Sequence, residues 1–263
     1  MPHMIFDTHV HTAASPDSDM DPEEAISVLN KKGFGCIFTE HVDYNPQGEP
    51  YFCTDLDAYF RDYIKHKSNT VRLGLEIGLI AECVDINRAH ASHETLDYVI
   101  GSVHCTDGWD IYLCPDYFTE AGEEMYKRHL SYMLKMVQIN DFFDALGHID
   151  YISRYSPFSE KNVLYETYAD EYDAILRTLI EQDKLLELST KRLGDEKARK
   201  NLVSIYSRYR DLGGQYVTIG SDAHDTRSLG YNFDIALEMI NEIGLMPVYF
   251  KNRRRILCTQ TSA

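Results

Sequence analysis

Histidines and carboxylates recur in this chain at the ends of apolar runs. Asp7-Thr8-His9-Val10-His11 comes first, then Ile37-Phe38-Thr39-Glu40-His41, Leu73-Gly74-Leu75-Glu76 and Val99-Ile100-Gly101-Ser102-Val103-His104. Ala145-Leu146-Gly147-His148 and Val217-Thr218-Ile219-Gly220-Ser221-Asp222-Ala223-His224 complete the set. An unpaired polar group at the edge of a core is costly, so a lone histidine there is more often a hydrogen-bonded loop residue than a ligand. Six such endings together point to strand ends that converge on a shared metal site. Neutral imidazole and carboxylate suit zinc, manganese and iron, and sites with several ions use a shared carboxylate as a bridge. His9 and His11 are two apart, which on a strand turns both to one face, so one ion can bind both. Asp222 and His224 share that spacing, and Glu76 offers a further carboxylate. By the same alternation Asp7 shares the face of the two histidines and reads as a partner that orients an imidazole.

The elements that must carry these groups alternate along the chain. Strand-like runs fall at 4–8, 35–40, 72–78, 98–103, 144–149, 185–189 and 215–221, several apolar throughout, as strands covered on both faces are. Between them lie 3.6-residue patterns over roughly 55–67, 119–139, 163–182, 195–212 and 234–243. An earlier helix opens on Asp21 as N-cap, Pro22, and Glu23-Glu24 in its first turn. Repeated β-then-α units predict a parallel sheet. Candidate ligands follow six of the seven strands, which favours a closed barrel, whose functional groups lie at the C-terminal ends of many strands, over an open sheet with one switch point. No linker divides the chain, so residues 1–263 are expected to form one domain.

Composition sets outer bounds. The net charge of −16 argues against nucleic-acid or anionic-membrane partners, which want a basic face. Bound cations would relieve the conflict between that charge and a phosphate substrate. Six cysteines without close spacing (36, 53, 83, 105, 114 and 258) read as reduced thiols, and no run approaches the length of a membrane span or follows a leader pattern. The expected location is the cytoplasm. His3, His66, His90, His93 and His129 lack the strand-end context and read as solvated or packed. Arg253-Arg254-Arg255 reads as a solvated terminal face.

The quoted segments, together with Gly147-His148-Ile149-Asp150 and Arg154-Tyr155, resemble the PHP (polymerase and histidinol phosphatase) superfamily, nearest to its HisJ/HisK-type histidinol-phosphate phosphatases. The resemblance spans residues 6 to 224. It implies a distorted (β/α)7 TIM-like barrel with three divalent ions (zinc, manganese or iron) at the C-terminal strand ends. His9, His11, Glu76 and Asp222 would hold one ion. Glu76 would bridge to a second, also bound by His104 and His148. Asp17, His41 and His224 would hold the third.

The activity so implied is hydrolysis of a small phosphate ester, L-histidinol phosphate, by a hydroxide bridging the ions, as a step of histidine biosynthesis. Glu76, Asp222 and His224 are the expected catalytic groups, with Asp222 or His224 moving the proton. Arg154 matches a family arginine and is expected on the phosphate. The family's second arginine is usual at the position of Gly194, and Arg192 is expected to replace it from a shifted loop in Glu187-Leu188-Ser189-Thr190-Lys191-Arg192. Alternatives are another phosphate ester or nucleotide as substrate, or a metal-stabilised binding module without catalysis.

Overall fold

The computed structural model describes residues 4–113, 117–118 and 122–258, and His3 and Cys114 lie outside them. In chain order the elements are β1 (Phe6–Val10), α1 (Pro22–Lys31), β2 (Gly35–Tyr44), β3 (Pro50–Cys53), α2 (Leu56–Tyr63), β4 (Val71–Gly78) and α3 (Val84–Ala91). Then follow β5 (Tyr98–Ser102), β6 (Cys105–Thr106), β7 (Trp109–Asp110), α4 (Gly122–Ile139), β8 (Ala145–Leu146), α5 (Ile152–Tyr155) and α6 (Ala169–Glu181). The last are β9 (Leu185–Ser189), α7 (Glu196–Asp211), β10 (Tyr216–Gly220), α8 (Phe233–Ile243), β11 (Met246–Lys251) and β12 (Arg254–Leu257). Local signals start the helices: as the sequence predicts, Asp21 accepts from the Glu23 and Glu24 amides ahead of α1, and the structure adds Asp195, which accepts from Lys197 and Ala198 ahead of α7.

Seven strands lie side by side in the order β1-β2-β4-β5-β8-β9-β10, every neighbouring pair parallel. The two ends of this row meet. Val10 bridges Ala223, the His11 amide donates to Ala223 O and the Asp222 amide to His9 O, both at 2.9 Å. The seam is one bridge rather than a full ladder, because the start of β10 pairs with β11 instead. This is the expected (β/α)7 architecture, distorted where it closes. β8 is shorter than its predicted run: it pairs only through Ala145 and Leu146, and His148 stands beyond it. β2 is longer, so His41 lies within it and not after it.

Alternation along the strands divides the interior. Ile37, Tyr98, Ile100 and Leu185 join Phe6 and Ala145 in one apolar cluster, to which β11 adds Val248 and Phe250. The opposite faces, such as Leu73, Leu75 and Ile77 on β4, pack with the helices in a second, larger core. Further along the same inward faces come Glu76, Ser102, Glu187 and Gly220, so the barrel is apolar at one end and polar at the other. Of the arginine run read as solvated, Arg253 is anchored: its Nε donates to Asp144 Oδ2 (2.6 Å) and its Nη1 to Ala91 O (2.7 Å).

β1 departs from simple alternation. Asp7 pairs with Cys36 but Val10 with Phe38, so β1 carries one extra residue in between. Such a bulge reverses which face the following side chains take. His9 and His11 therefore point inward and Asp7 outward, where its carboxylate accepts from Ser221 N (2.9 Å), Ser221 Oγ (2.6 Å) and Gly230 N (2.9 Å). Asp7 does not orient an imidazole, as the sequence reading had it. It ties β1 to the segment after β10, and burial pushes its pKa up to about 6 against those hydrogen bonds.

Candidate metal centre

The polar end of the barrel gathers residues from six strands around one carboxylate. Glu76, on β4 and fully buried, turns its two oxygens to different neighbours. Oε1 lies 2.8 Å from His148 Nε2 and 3.2 Å from His104 Nε2. Oε2 lies 3.2 Å from His9 Nε2, 3.4 Å from His11 Nε2 and 3.1 Å from His41 Nδ1. Asp222 Oδ1 stands 3.8 Å from His9 Nε2 and 3.6 Å from His11 Nε2. Asp17 Oδ2 lies 2.8 Å from His224 Nε2 and 3.6 Å from His41 Nε2. All nine residues expected as ligands are thus brought together, in three adjoining groups.

The donor set fits divalent ions. His9 Nε2, His11 Nε2, His41 Nδ1, Glu76 Oε2 and Asp43 Oδ2 are buried without a hydrogen-bond partner, although a buried orphan polar atom costs about 1–3 kcal/mol. Four sets of three potential ligand atoms converge here, among them His9-His11-Glu76, Glu76-His104-His148 and His11-His41-His224. Hence the arrangement accommodates several ions and not one, with Glu76 shared between sets.

Electrostatics point the same way. Burial pushes the Glu76 carboxyl up, but His9, His104 and His41 outweigh it and hold it well below the usual range. Burial likewise opposes ionisation of Asp222, and Lys191 and Arg154, with His9 and His224, overcome it. Both carboxylates are therefore held ionised, as metal ligands must be.

Two carboxylates that the sequence reading passed over hold the imidazoles from behind. Glu187 on β9 places Oε1 2.7 Å from His9 Nδ1. Asp43 on β2 places Oδ1 2.8 Å from His104 Nδ1; its Oδ2 stands 3.4 Å from His41 Nδ1, neither atom having a hydrogen-bond partner. The signals were present. Glu187 interrupts the apolar run Leu185-Leu186-Glu187-Leu188, and Asp43 follows His41 at the spacing that puts both on one face.

The cluster opens into a cavity of about 270 Å³, lined by its own residues together with Arg154, Lys191, Asp110, Tyr51, Phe52, Tyr112, Tyr151 and Tyr155. Arg154 follows the strand-end His148 on α5. It pairs with Asp222 Oδ2 through Nη1 and donates to Ser189 Oγ (3.0 Å) through Nη2. Lys191 Nζ lies 3.1 Å from Asp222 O and 3.5 Å from Asp222 Oδ2. Arg192, expected at the substrate, is placed otherwise. Its guanidinium donates to Asp150 Oδ2 (3.0 Å) and Asn162 Oδ1 (2.7 Å), and its neighbour Lys191 faces the cavity. Also lining the cavity, Asp110 accepts from Tyr51 Oη (2.7 Å) and from the Tyr112 and Leu113 amides (2.8 and 2.7 Å).

Comparison with known proteins agrees with this geometry. The family described as "PHP domain" matches residues 7–191. The chain is 40% identical over 250 residues to a probable histidinol-phosphatase of Clostridium acetobutylicum, covering 95% of this chain and 98% of that one. It is 27% identical to a histidinol-phosphatase of Lactococcus lactis subsp. lactis, covering 91% of each. The crystal structure of histidinol phosphate phosphatase from Lactococcus lactis, complexed with zinc, L-histidinol and phosphate, superposes with a TM-score of 0.86 at 26% identity. It covers 96% of this chain and 99% of that one.

Proposed function

The chain belongs to the PHP domain family, and we propose that it is a metal-dependent phosphomonoesterase that hydrolyses L-histidinol phosphate to L-histidinol and phosphate, in histidine biosynthesis. The observation that carries this reading is the divided Glu76 carboxylate, one oxygen toward His104 and His148 and the other toward His9 and His11. Relatives covering nearly the whole chain are named for this activity, and the zinc complex of one of them holds L-histidinol and phosphate.

His9, His11, Glu76 and Asp222 would hold one ion, Glu76, His104 and His148 a second, and Asp17, His41 and His224 a third. Divalent ions there, whether zinc, manganese or iron, supply Lewis acidity that brings the pKa of water toward neutrality and offsets phosphoryl charge. The chain's own residues position the ester and move the proton. Arg154 and Lys191, both paired with Asp222 Oδ2 at the cavity wall, bind the phosphate; Lys191 takes the part expected of Arg192. As the P–O ester bond breaks, the proton that the attacking water loses passes through Asp222 or His224 to the departing alkoxide of L-histidinol. His224 Nδ1 lies 3.1 Å from the Asp222 backbone carbonyl, which holds the imidazole beside that residue.

The cationic, aromatic end of the substrate fits the part of the cavity lined by Asp110, Tyr112 and Tyr155. Asp110 offers it a carboxylate and Tyr112 and Tyr155 their ring faces, a combination that favours an ammonium or imidazolium. The acidity of the chain disfavours nucleic acid or an anionic membrane as partner. We take residues 1–263 as one domain of this kind, because Asp222 and His224 complete the cluster beyond residue 191. A cytoplasmic location is supported by the free thiols Cys36, Cys53, Cys83, Cys105 and Cys258. No helix among the described residues is long and apolar enough to cross a membrane.

The test is a panel of phosphate esters, run after the bound metals have been measured. L-histidinol phosphate should be hydrolysed far faster than generic monoesters or nucleotides, and Glu76→Ala should abolish turnover. Preference for a different ester would overturn the substrate. Asp110→Asn should raise KM for L-histidinol phosphate about tenfold or more, the worth of a hydrogen bond to a charged group, and leave an amine-free ester unaffected.

A further inference from the structure

Of the seven barrel strands, β9 alone has none of the nine assigned ligands either within it or in the segment that follows it, yet its inward face bears a carboxylate. Glu187 is fully buried, and among the described residues no lysine or arginine is a hydrogen-bond or ion-pair partner of it. Oε1 lies 2.7 Å from His9 Nδ1, and Oε2 accepts the backbone amide of His148 at 2.9 Å. The surrounding backbone makes room for this reach. A Cβ on Gly220 would stand 2.3 Å from Glu187 Oε1 and 2.4 Å from His9 Cβ, so only glycine leaves space for both. Tyr206 Oη donates to the Glu187 carbonyl and fixes the strand at that residue.

The geometry points to Glu187 as the residue that sets two metal-ligand groups at once: it fixes the His9 tautomer and the position of His148. This inference rests on the proposed metal centre. His9 can present a lone pair at Nε2 only if its proton is on Nδ1, and Glu187 Oε1 is the acceptor that holds it there. The second oxygen holds the His148 backbone, whose side chain meets the other side of Glu76. Both partners are then donors, which explains why the position needs a carboxylate and not an amide. Glutamine would turn its NH2 toward one of them. Facing His148, it would set donor against donor and break that bond. Facing His9, it would favour the Nε2–H tautomer and aim a proton at the metal position.

Glu187→Gln, equal in shape, tests this with zinc as the probe. Equilibrium dialysis of the full chain against buffered zinc, followed by metal analysis, should give a 10- to 100-fold loss of affinity for at least one ion. Unfolding of the metal-stripped variant should stay close to that of stripped wild type. Equal zinc affinities in variant and wild type overturn the proposal. So does a stripped variant that is markedly less stable but binds zinc as wild type does, because Glu187 would then be only structural. Wild type that binds no zinc would instead bring down the metal centre itself. If the variant does not fold, the 15N-histidine spectrum of zinc-loaded wild type decides: His9 must be protonated at Nδ1, and an Nε2–H signal for it overturns the assignment.

Discussion

His129 is buried on α4 with Nδ1 2.9 Å from Thr106 Oγ1, and burial, with His148 nearby, lowers its pKa to about 3. Its folded pKa is below the 6.5 of a free imidazole, so the unfolded chain binds this proton more readily. The stability it allows is therefore present above pH 6.5 and lost as pH falls toward 3. At about 1.4 kcal/mol per pKa unit, His129 alone removes about 2 kcal/mol between pH 7 and pH 5. Urea unfolding of the metal-stripped proteins should show wild type losing about that much more than His129→Gln over this interval. Parallel losses would contradict the assignment. His129 reads from the sequence as a solvated or packed histidine, because a single histidine in a helical pattern gives no reason for a ligand, and the structure packs it. The same scale holds the errors. Arg192 and Lys191 are neighbours, and only the path of the loop after β9 decides which of them faces the cavity.

At the scale of elements, the positions of seven strands were legible, because apolar runs bounded by helical patterns are a local property. Their ends were less so: β8 pairs over two residues, and β2 runs on past His41. The bulge in β1 left no mark in composition, yet it reverses the face of Asp7. The hairpins β6–β7 and β11–β12 were also missed, since strands of two to six residues carry little periodicity. One packing constraint between elements gives a sharp expectation. Gly220→Ala should lower unfolding stability by roughly 1–3 kcal/mol, as overpacking does. It should also reduce bound metal, because the new methyl meets His9 and Glu187 together. Thermal unfolding with metal analysis checks both, and retention of full metal content with wild-type stability would contradict the close packing of β9, β10 and β1.

For the whole molecule, closure of the barrel brings buried polar atoms together without partners. Ions that bind the folded chain and not the unfolded one stabilise it by mass action, about 2.7 kcal/mol for each site at 100 times its Kd. For a chain of this size each kcal/mol is worth about 2–4 °C, so chelation should lower Tm by at least about 5 °C, and zinc or manganese should restore it. A scanning calorimetry trace unaffected by chelator, from protein known to have held metal, would contradict the donor arrangement.

The sequence by itself determined the residue types at the strand ends, the alternation of strand and helix, and hence a barrel whose polar end gathers His9, His11, His41, Glu76, His104, His148, Asp222 and His224. These are legible because each depends on a few neighbouring residues, through the two-residue period of a strand. Only the tertiary structure decided which oxygen of Glu76 meets which histidine, that Asp7 turns outward, that Lys191 and not Arg192 enters the cavity, and that Glu187 stands behind His9. These depend on strand register and on contacts between distant residues, 178 positions apart for Glu187 and His9. Such contacts exist only once the row of strands has closed, so no local pattern of residues records them.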